Sequence, residues 1–199
     1  MIENANTDIS SLSSIHAGKK DNKIICERIT EVKEPSSLIK AISEVLKDTC
    51  EQSQLNKNEK LILIKPFMTK KRLNFSIYEY LNHLYKYSQV SEDIFIVMLI
   101  YIDRLKTNRK IYLNYFNIYK LILAAFVLAI KFNYDEYFTL DIYSEIGGVS
   151  QKELVALEYD FTTLLNFKFF VEEKIFQKYY NFLKSIDSDD EDCDYESDG

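Results

Sequence analysis

NYFNIYKLILAAFVLAIKF, Asn114–Phe132, is the stretch on which the reading of this chain turns. Its middle, Leu121 to Ile130, is ten apolar residues without interruption, flanked by Lys120 and Lys131. A bilayer-spanning helix needs roughly 20 apolar residues, so this one does not qualify. A helix that is apolar on every side and too short for lipid is buried by protein on every side. The stretch therefore predicts a central rod with other helices stacked around it, in an all-α domain.

The rest of the composition agrees. The chain has 199 residues, suiting one domain with extensions, and is 47% hydrophobic, enough for a core. Four glycines and two prolines punctuate it sparsely, which favours long helices over a many-stranded sheet. There is no Trp, and 13 Phe and 15 Tyr supply the aromatic core instead. The net charge of −6 is lopsided: eight acidic and no basic residues follow from Asp187 onward, leaving the first 186 residues at +2. A nearly neutral body argues against nucleic-acid binding, which rests on many phosphate-pairing cations. Cys26, Cys50 and Cys193 are odd in number, far apart and without CxxC spacing, so neither a zinc site nor a disulfide framework is expected. Reduced thiols fit a nuclear or cytoplasmic protein. The N-terminus has no apolar signal-peptide core, and Glu3 and Asp8 argue against a transit peptide. No membrane association is expected.

Outward from the rod, the chain divides as follows. Residues 1–34, rich in Ser, Asn, Lys and Glu without sustained periodicity, predict disorder. In residues 36–52, Leu38, Ile42, Val45 and Leu46 fall at helical spacing behind Pro35, predicting a helix outside the main domain that packs against it or against a partner. Together with an extended connector over Leu61–Ser76, which contains Pro66 and the basic trio Lys70, Lys71 and Arg72, this makes a segment of residues 35–73. Three charges are below what a localisation or binding patch needs, so a solvated linker is the simpler account of the trio.

The main domain, residues 74–185, begins at Ser76, an N-cap for a helix with Ile77, Tyr80, Leu81 and Leu84 on one face. Ser91-Glu92-Asp93 opens a second helix, with acids at its positive end. After the rod comes a short helix stopped by Gly147–Gly148, whose left-handed freedom suits a helix end. Ser150 and Glu153 form a capping box for a fifth helix running to about Leu165. Phe167–Val171 reads as an extended link, and Glu172–Ser185 as a last amphipathic helix. The acidic residues 186–199 repel one another and predict a disordered tail.

The periodicity exposes one anomaly. On the fifth helix Leu154, Leu157, Phe161, Leu164 and Leu165 form an apolar stripe, and Glu158 lies inside it. A carboxylate on a burying face costs several kcal/mol unless paired. Either it reaches water at the rim of the stripe, or it meets a cation or donors at a partner surface. On the rod, Lys120 and Lys131 are three turns apart on one line, with Ala124 and Val127 between them and Leu128 and Phe132 alongside. That strip is either an internal packing face or a docking strip. Lys131 also falls in the last helical turn, where a cation is favoured by the helix dipole alone.

These residues carry a family resemblance. YIDRL at Tyr101–Leu105, the apolar helix ending AIKF at Ala129–Phe132, LE at Leu157–Glu158 and the closing LLNFKFFV resemble a cyclin box. SIYEYL at Ser76–Leu81 and YSEIGGVSQKELVALEYDF at Tyr143–Phe161 resemble the P-type (phosphate-signalling) cyclins, which carry a single box. The resemblance covers about residues 74–185 and implies a five-helix box around the central helix. It implies that Lys131 and Glu158 grip the regulatory helix of a cyclin-dependent protein kinase and the segment before it. Leu128, Phe132, Phe167 and Phe169 match the apolar positions that receive that helix. Asp103 matches a structural acid, a brace rather than a contact, with His83 or Arg72 as its basic partner. The first helix lacks the substrate-recruiting pattern of cell-cycle cyclins.

The implied function is a regulatory, activating cyclin subunit in a heterodimer with a cyclin-dependent kinase. The alternative is a cyclin-fold adaptor or transcription-associated module that does not activate a kinase. No catalytic residues, cofactor or metal are expected. The single glycine pair is a helix stop rather than a phosphate cradle, and His16 and His83 have no triad around them. Ser188, followed by Asp189, Asp190 and Glu191, is a candidate phosphorylation site for an acidophilic kinase.

Overall fold

The structure, a computed structural model, describes residues 36–55 and 64–191. Among the described residues there are seven α-helices, one 3-10 turn and no strand. The helices are α1 (Ser37–Leu55), α2 (Ile77–Ser88), α3 (Asp93–Arg109), α4 (Ile118–Asn133), α5 (Leu140–Ile146), α6 (Gln151–Leu164) and α7 (Glu173–Glu191). The expected disorder of residues 1–34 and the end of the acidic tail lie outside the described residues, as do Cys26, Cys193 and His16.

The central rod is α4, and its all-round apolar surface is all-round buried. From Leu121 to Ile130 only Leu128 is less than fully buried. The rod is shorter than Asn114–Phe132, because Asn114–Asn117 is a turn and not helix. The Asn117 side chain accepts from the Asn114 amide and donates to the Tyr112 carbonyl, while the Asn114 side chain accepts from the Phe116 amide. Asparagine side chains compete with the helical ladder in this way. α3 lies along the rod in the most extensive helix pairing, with Phe95 and Phe126 ring centroids 4.9 Å apart. α6 covers a second side, and α5 closes against α6 and α2.

α1 departs from the expectation of a helix outside the domain. Leu38, Ile39, Ala41, Ile42, Leu46 and Cys50 are buried in the same core as α2–α6, and α1 packs on α2, α3 and α7. The periodic stripe was legible, but what covers it was not. The connector is likewise anchored. Lys65–Phe67 is a 3-10 turn with Pro66 inside it, the extended residue is Ile64, and Phe67 is fully buried, 6.2 Å from the Phe161 ring. Lys70, Lys71 and Arg72 are exposed, and Arg72 lies over the Tyr115 ring.

The helix ends follow local chemistry with some substitutions of partner. Ser76 and Glu79 make a complete capping box on α2. At α6 the Ser150 hydroxyl accepts from the Glu153 amide, but the Glu153 carboxylate turns away to Lys120, so the box is half made. Ser91 does not cap α3; its amide and hydroxyl bond Tyr134, and Glu92 takes the cap position. α7 runs to Glu191, past the expected end at Ser185, so the acidic run begins as helix and Ser188 falls within it.

The glycine pair after α5 has two separate jobs. Gly148 (φ +70°) is the left-handed residue, and Val149 N donates to Ser144 O across it, a Schellman closure. Gly147 is right-handed; a Cβ there would sit 2.5 Å from Leu123 Cδ1 on the rod. Gly147→Ala should therefore cost about 1–3 kcal/mol by overpacking. Gly148→Asn should be nearly neutral, since asparagine tolerates the left-handed region and the position faces open space. Urea denaturation of the two variants checks the contrast.

The same corner holds His83, whose Nε2–H donates to the Ile146 carbonyl at 3.0 Å. Burial pushes its imidazole below the ordinary value of 6.5, with the Ile146 bond opposing and Lys86 adding to the effect. The unfolded chain thus takes up a proton that the folded chain refuses. This stability is present above about pH 6.5 and is lost as pH falls toward the lower folded-state value. Thermal melts should drop between about pH 7.5 and about pH 5.5, and His83→Gln, which keeps a donor for Ile146, should flatten that slope.

Candidate functional site

The partner that Glu158 lacks in the sequence pattern is Lys131 of the same chain. Lys131 Nζ lies 2.6 Å from Glu158 Oε1, with the two side chains 25% and 11% exposed. The contact has ion-pair distance without a directed hydrogen bond onto Oε1, so Coulomb attraction in a largely dry setting carries it. Removing either partner would leave the other charge poorly solvated. A fully buried orphan costs about 3–5 kcal/mol, and the partial exposure here lowers that to about 1–3 kcal/mol.

At the other end of the rod Lys120 pairs with Glu153 at 2.8 Å and also donates to the Met68 carbonyl. Both lysines of α4 are thus answered by glutamates of α6. Ala124 and Val127 between them are fully buried. The strip from Lys120 to Lys131 is therefore an internal packing face covered by α6, not a docking strip. What remains at the surface is one edge of the last two turns of α4: Leu128 half-buried, Lys131 partly exposed and Phe132 52% exposed.

The segment after α6 meets that edge. Phe169 packs against Phe132 with ring centroids 5.6 Å apart, and against Tyr101 at 5.7 Å. Phe167 projects from the turn, 74% exposed, and Phe170 is 70% exposed. The six residues thus divide into the Lys131–Glu158 pair, the Phe132–Phe169 stack with Leu128 one turn earlier on α4, and Phe167 two residues from Phe169.

The turn itself is not the extended link expected from Phe167. Asn166 (φ +52°) and Phe167 (φ +57°) are both left-handed. Phe167 N donates to Thr162 O and Asn166 N to Thr163 O, a Schellman closure with asparagine at the position that favours glycine or asparagine. Phenylalanine in this region is unusual and strained, at a cost of order 1–3 kcal/mol. Its neighbours on α3 hold it. Arg109 Nε donates to the Leu164 carbonyl and Arg109 NH2 to Asn166 Oδ1; Arg104 donates to the carbonyls of Lys168 and Phe170; Tyr101 OH donates to the Phe169 carbonyl.

Sequence reasoning did not find Arg104, Arg109 or Tyr101 in this role, because nothing local says that α3 faces the turn some 60 residues later. It also passed over Val155 and Tyr159, exposed at 52% and 73% on α6 around Glu158. The signal for these was present, as an apolar and an aromatic residue off the burying stripe. Asp103 Oδ2 accepts from the Tyr179 hydroxyl at 2.7 Å, a bond that ties α3 to α7. Burial first, and this bond second, push the Tyr179 phenol upward. Neither expected basic partner serves there, since His83 is bonded to Ile146 and Arg72 stacks on Tyr115.

Among the described residues no group of three or more His, Cys, Asp or Glu is arranged to hold a metal ion, and no helix is long and apolar enough to cross a membrane. The buried Cys50 thiol is pushed up to about 12, chiefly by desolvation, which leaves it a poor nucleophile.

Comparison with known proteins addresses the fold as a whole. A family model described as Cyclin matches residues 23–169, a span that takes in α1–α6 and stops before α7, so it begins and ends earlier than the expected box of residues 74–185. The chain is 31% identical over 153 residues to Cyclin-U4-1 of Arabidopsis thaliana, covering 75% of each chain. It is 29% identical over 164 residues to PHO85 cyclin-7 of Saccharomyces cerevisiae, covering 74% of this chain and 58% of the relative. It is 31% identical over 106 residues to Cyclin-P3-1 of Oryza sativa subsp. japonica, covering 53% of this chain and 45% of the relative. The last two agree with the P-type resemblance. With this match laid over a helical fold built round a buried central helix, the chain belongs to the cyclin family, whose members regulate kinases and are not themselves enzymes.

Proposed function

We propose that this chain is an activating subunit of a cyclin-dependent protein kinase and docks it through the end of α4, the middle of α6 and the turn after α6. The observation that carries this reading is the edge where a buried rod reaches the surface: Leu128, Lys131 and Phe132 beside Glu158, with Phe167 and Phe169 presented next to them. Phe132 and Phe167 are large apolar side chains left exposed together with an ion pair, a combination suited to receiving an amphipathic helix. One of the relatives is named a PHO85 cyclin, which makes PHO85 the first partner to test.

The mechanism is docking-driven population shift. A kinase of this class needs its regulatory-helix Glu paired with the ATP-site Lys and its activation segment ordered. A subunit that binds only that arrangement raises its population in proportion to the difference in affinity. The Lys131–Glu158 pair supplies charge-assisted donors and acceptors at the rim of the face, while Leu128, Phe132, Phe167 and Phe169 supply the apolar floor. Phosphoryl transfer stays with the partner. Ser188 on α7 is a phosphorylation site in this proposal, adding charge to an already negative segment.

Reconstitution with purified PHO85, alongside a pull-down of kinases from an extract and a kinase assay of the recovered complex, tests activation against mere adaptor binding. Because Lys131 and Glu158 pair with each other, single reversals confound stability with docking. Lys131→Glu and Glu158→Lys should each lose about 1–3 kcal/mol of stability and bind kinase poorly. The double reversal should recover most of the stability but not the binding, since the polarity of the face stays inverted. A double reversal that binds and activates like wild type would sink the contact role of the pair.

A further inference from the structure

We propose that Arg104 and Arg109 are positioning residues of the kinase-docking face: from α3 they hold, through its carbonyls and the Asn166 side chain, the turn that presents Phe167 and Phe169. The proposal rests on the docking reading above and adds to it the reason the turn has the shape it does.

Three successive carbonyls, those of Lys168, Phe169 and Phe170, all accept from α3: the outer two from Arg104 NH1 (2.8 Å) and NH2 (3.0 Å), the middle one from Tyr101 OH (2.8 Å). Arg109 fastens the other end of the turn, through the Leu164 carbonyl (3.0 Å) and Asn166 Oδ1 (2.5 Å). Between these anchors sit the two left-handed residues, Asn166 and Phe167. A turn with two non-glycine residues in that region relaxes unless its surroundings hold it.

Packing of the Phe167 ring does not hold it, because the ring is 74% exposed. Backbone bonds within the turn, Phe167 N to Thr162 O and Phe169 N to Phe167 O, close it locally, and the hydrogen bonds from α3 fasten it on both sides; what they together keep in place is an exposed ring, which has no use inside the chain. A guanidinium fork can grip two carbonyls two residues apart; a lysine ammonium, a point charge with the same sign, cannot do so with the same planar geometry. Pre-organising an exposed anchor in this way removes an ordering cost that binding would otherwise bear.

The test uses the full chain and the kinase that wild type binds in the experiments above. Arg104→Gln, Arg104→Lys and Arg109→Gln should each weaken kinase binding about tenfold or more. Each should speed amide exchange at residues 166–170 in the free chain, while circular dichroism and the melting temperature of the helical body change little. In a chain already carrying Phe167→Ala and Phe169→Ala, Arg104→Gln should weaken binding no further, by less than about twofold, because there is nothing left to position. If Arg109→Gln does not fold, Arg104→Lys, which keeps charge and stem, decides the matter. Arginine variants that bind like wild type, or whose losses simply multiply with those of the phenylalanine variants, overturn the positioning role while leaving the docking face intact. Phenylalanine variants that bind like wild type, or a wild-type chain that binds no kinase, overturn the docking reading and this proposal with it.

Discussion

Everything in this fold is arranged around the burial of α4. A helix apolar on every face must be covered on every face, and each fully buried Leu, Ile, Val or Phe on it contributes about 1.5–3 kcal/mol when it is. No single neighbour can cover a cylinder, so several must: α3 along its length, α6 across another side, the turn at Gly147 against Leu123. Ala124, Ala125 and Ala129 keep the rod slim where neighbours come close. The Lys120–Glu153 and Lys131–Glu158 pairs then fix how α6 lies on it, because sliding or rotating α6 would part at least one of them.

The candidate site follows from where this burial stops. The rod is covered until its last turn, and there Lys131 and Phe132 emerge. A charged residue at that point has to be answered, and α6 answers it with Glu158 from within an apolar stripe. The anomaly in the stripe and the lysine at the rod's end are thus two halves of one interaction. That interaction also leaves charge at the surface beside apolar rings. α3 serves both the inside and the outside: its apolar residues bury against α4, while Tyr101, Arg104 and Arg109 reach round to the turn after α6.

Much of this was legible in the residues. The rod, the two glycines after α5, the Ser76 cap and the acid at Glu158 all announce themselves, because local rules of periodicity, capping and backbone freedom act within a few residues. The family motifs added their order and spacing. What failed to show were partners far apart in the chain. Glu153 reads as a capping-box residue until α4 offers it Lys120. Asp103 reads as the partner of an arginine or histidine until α7 brings Tyr179. α1 reads as a satellite helix until α2, α3 and α7 close over its apolar stripe.

The sequence by itself determined that this is an all-helical protein around one buried rod, because an uninterrupted apolar run of that length has no other stable place in water. It also marked Glu158 as a residue needing an answer. Only the tertiary structure decided that the answer is Lys131, that the strip between the lysines faces inward, and that Phe167 stands in a left-handed turn clamped from α3. The physical reason is that charge pairs and backbone strain are resolved by whatever group the packing brings within about 3 Å, and sequence spacing carries no record of that distance.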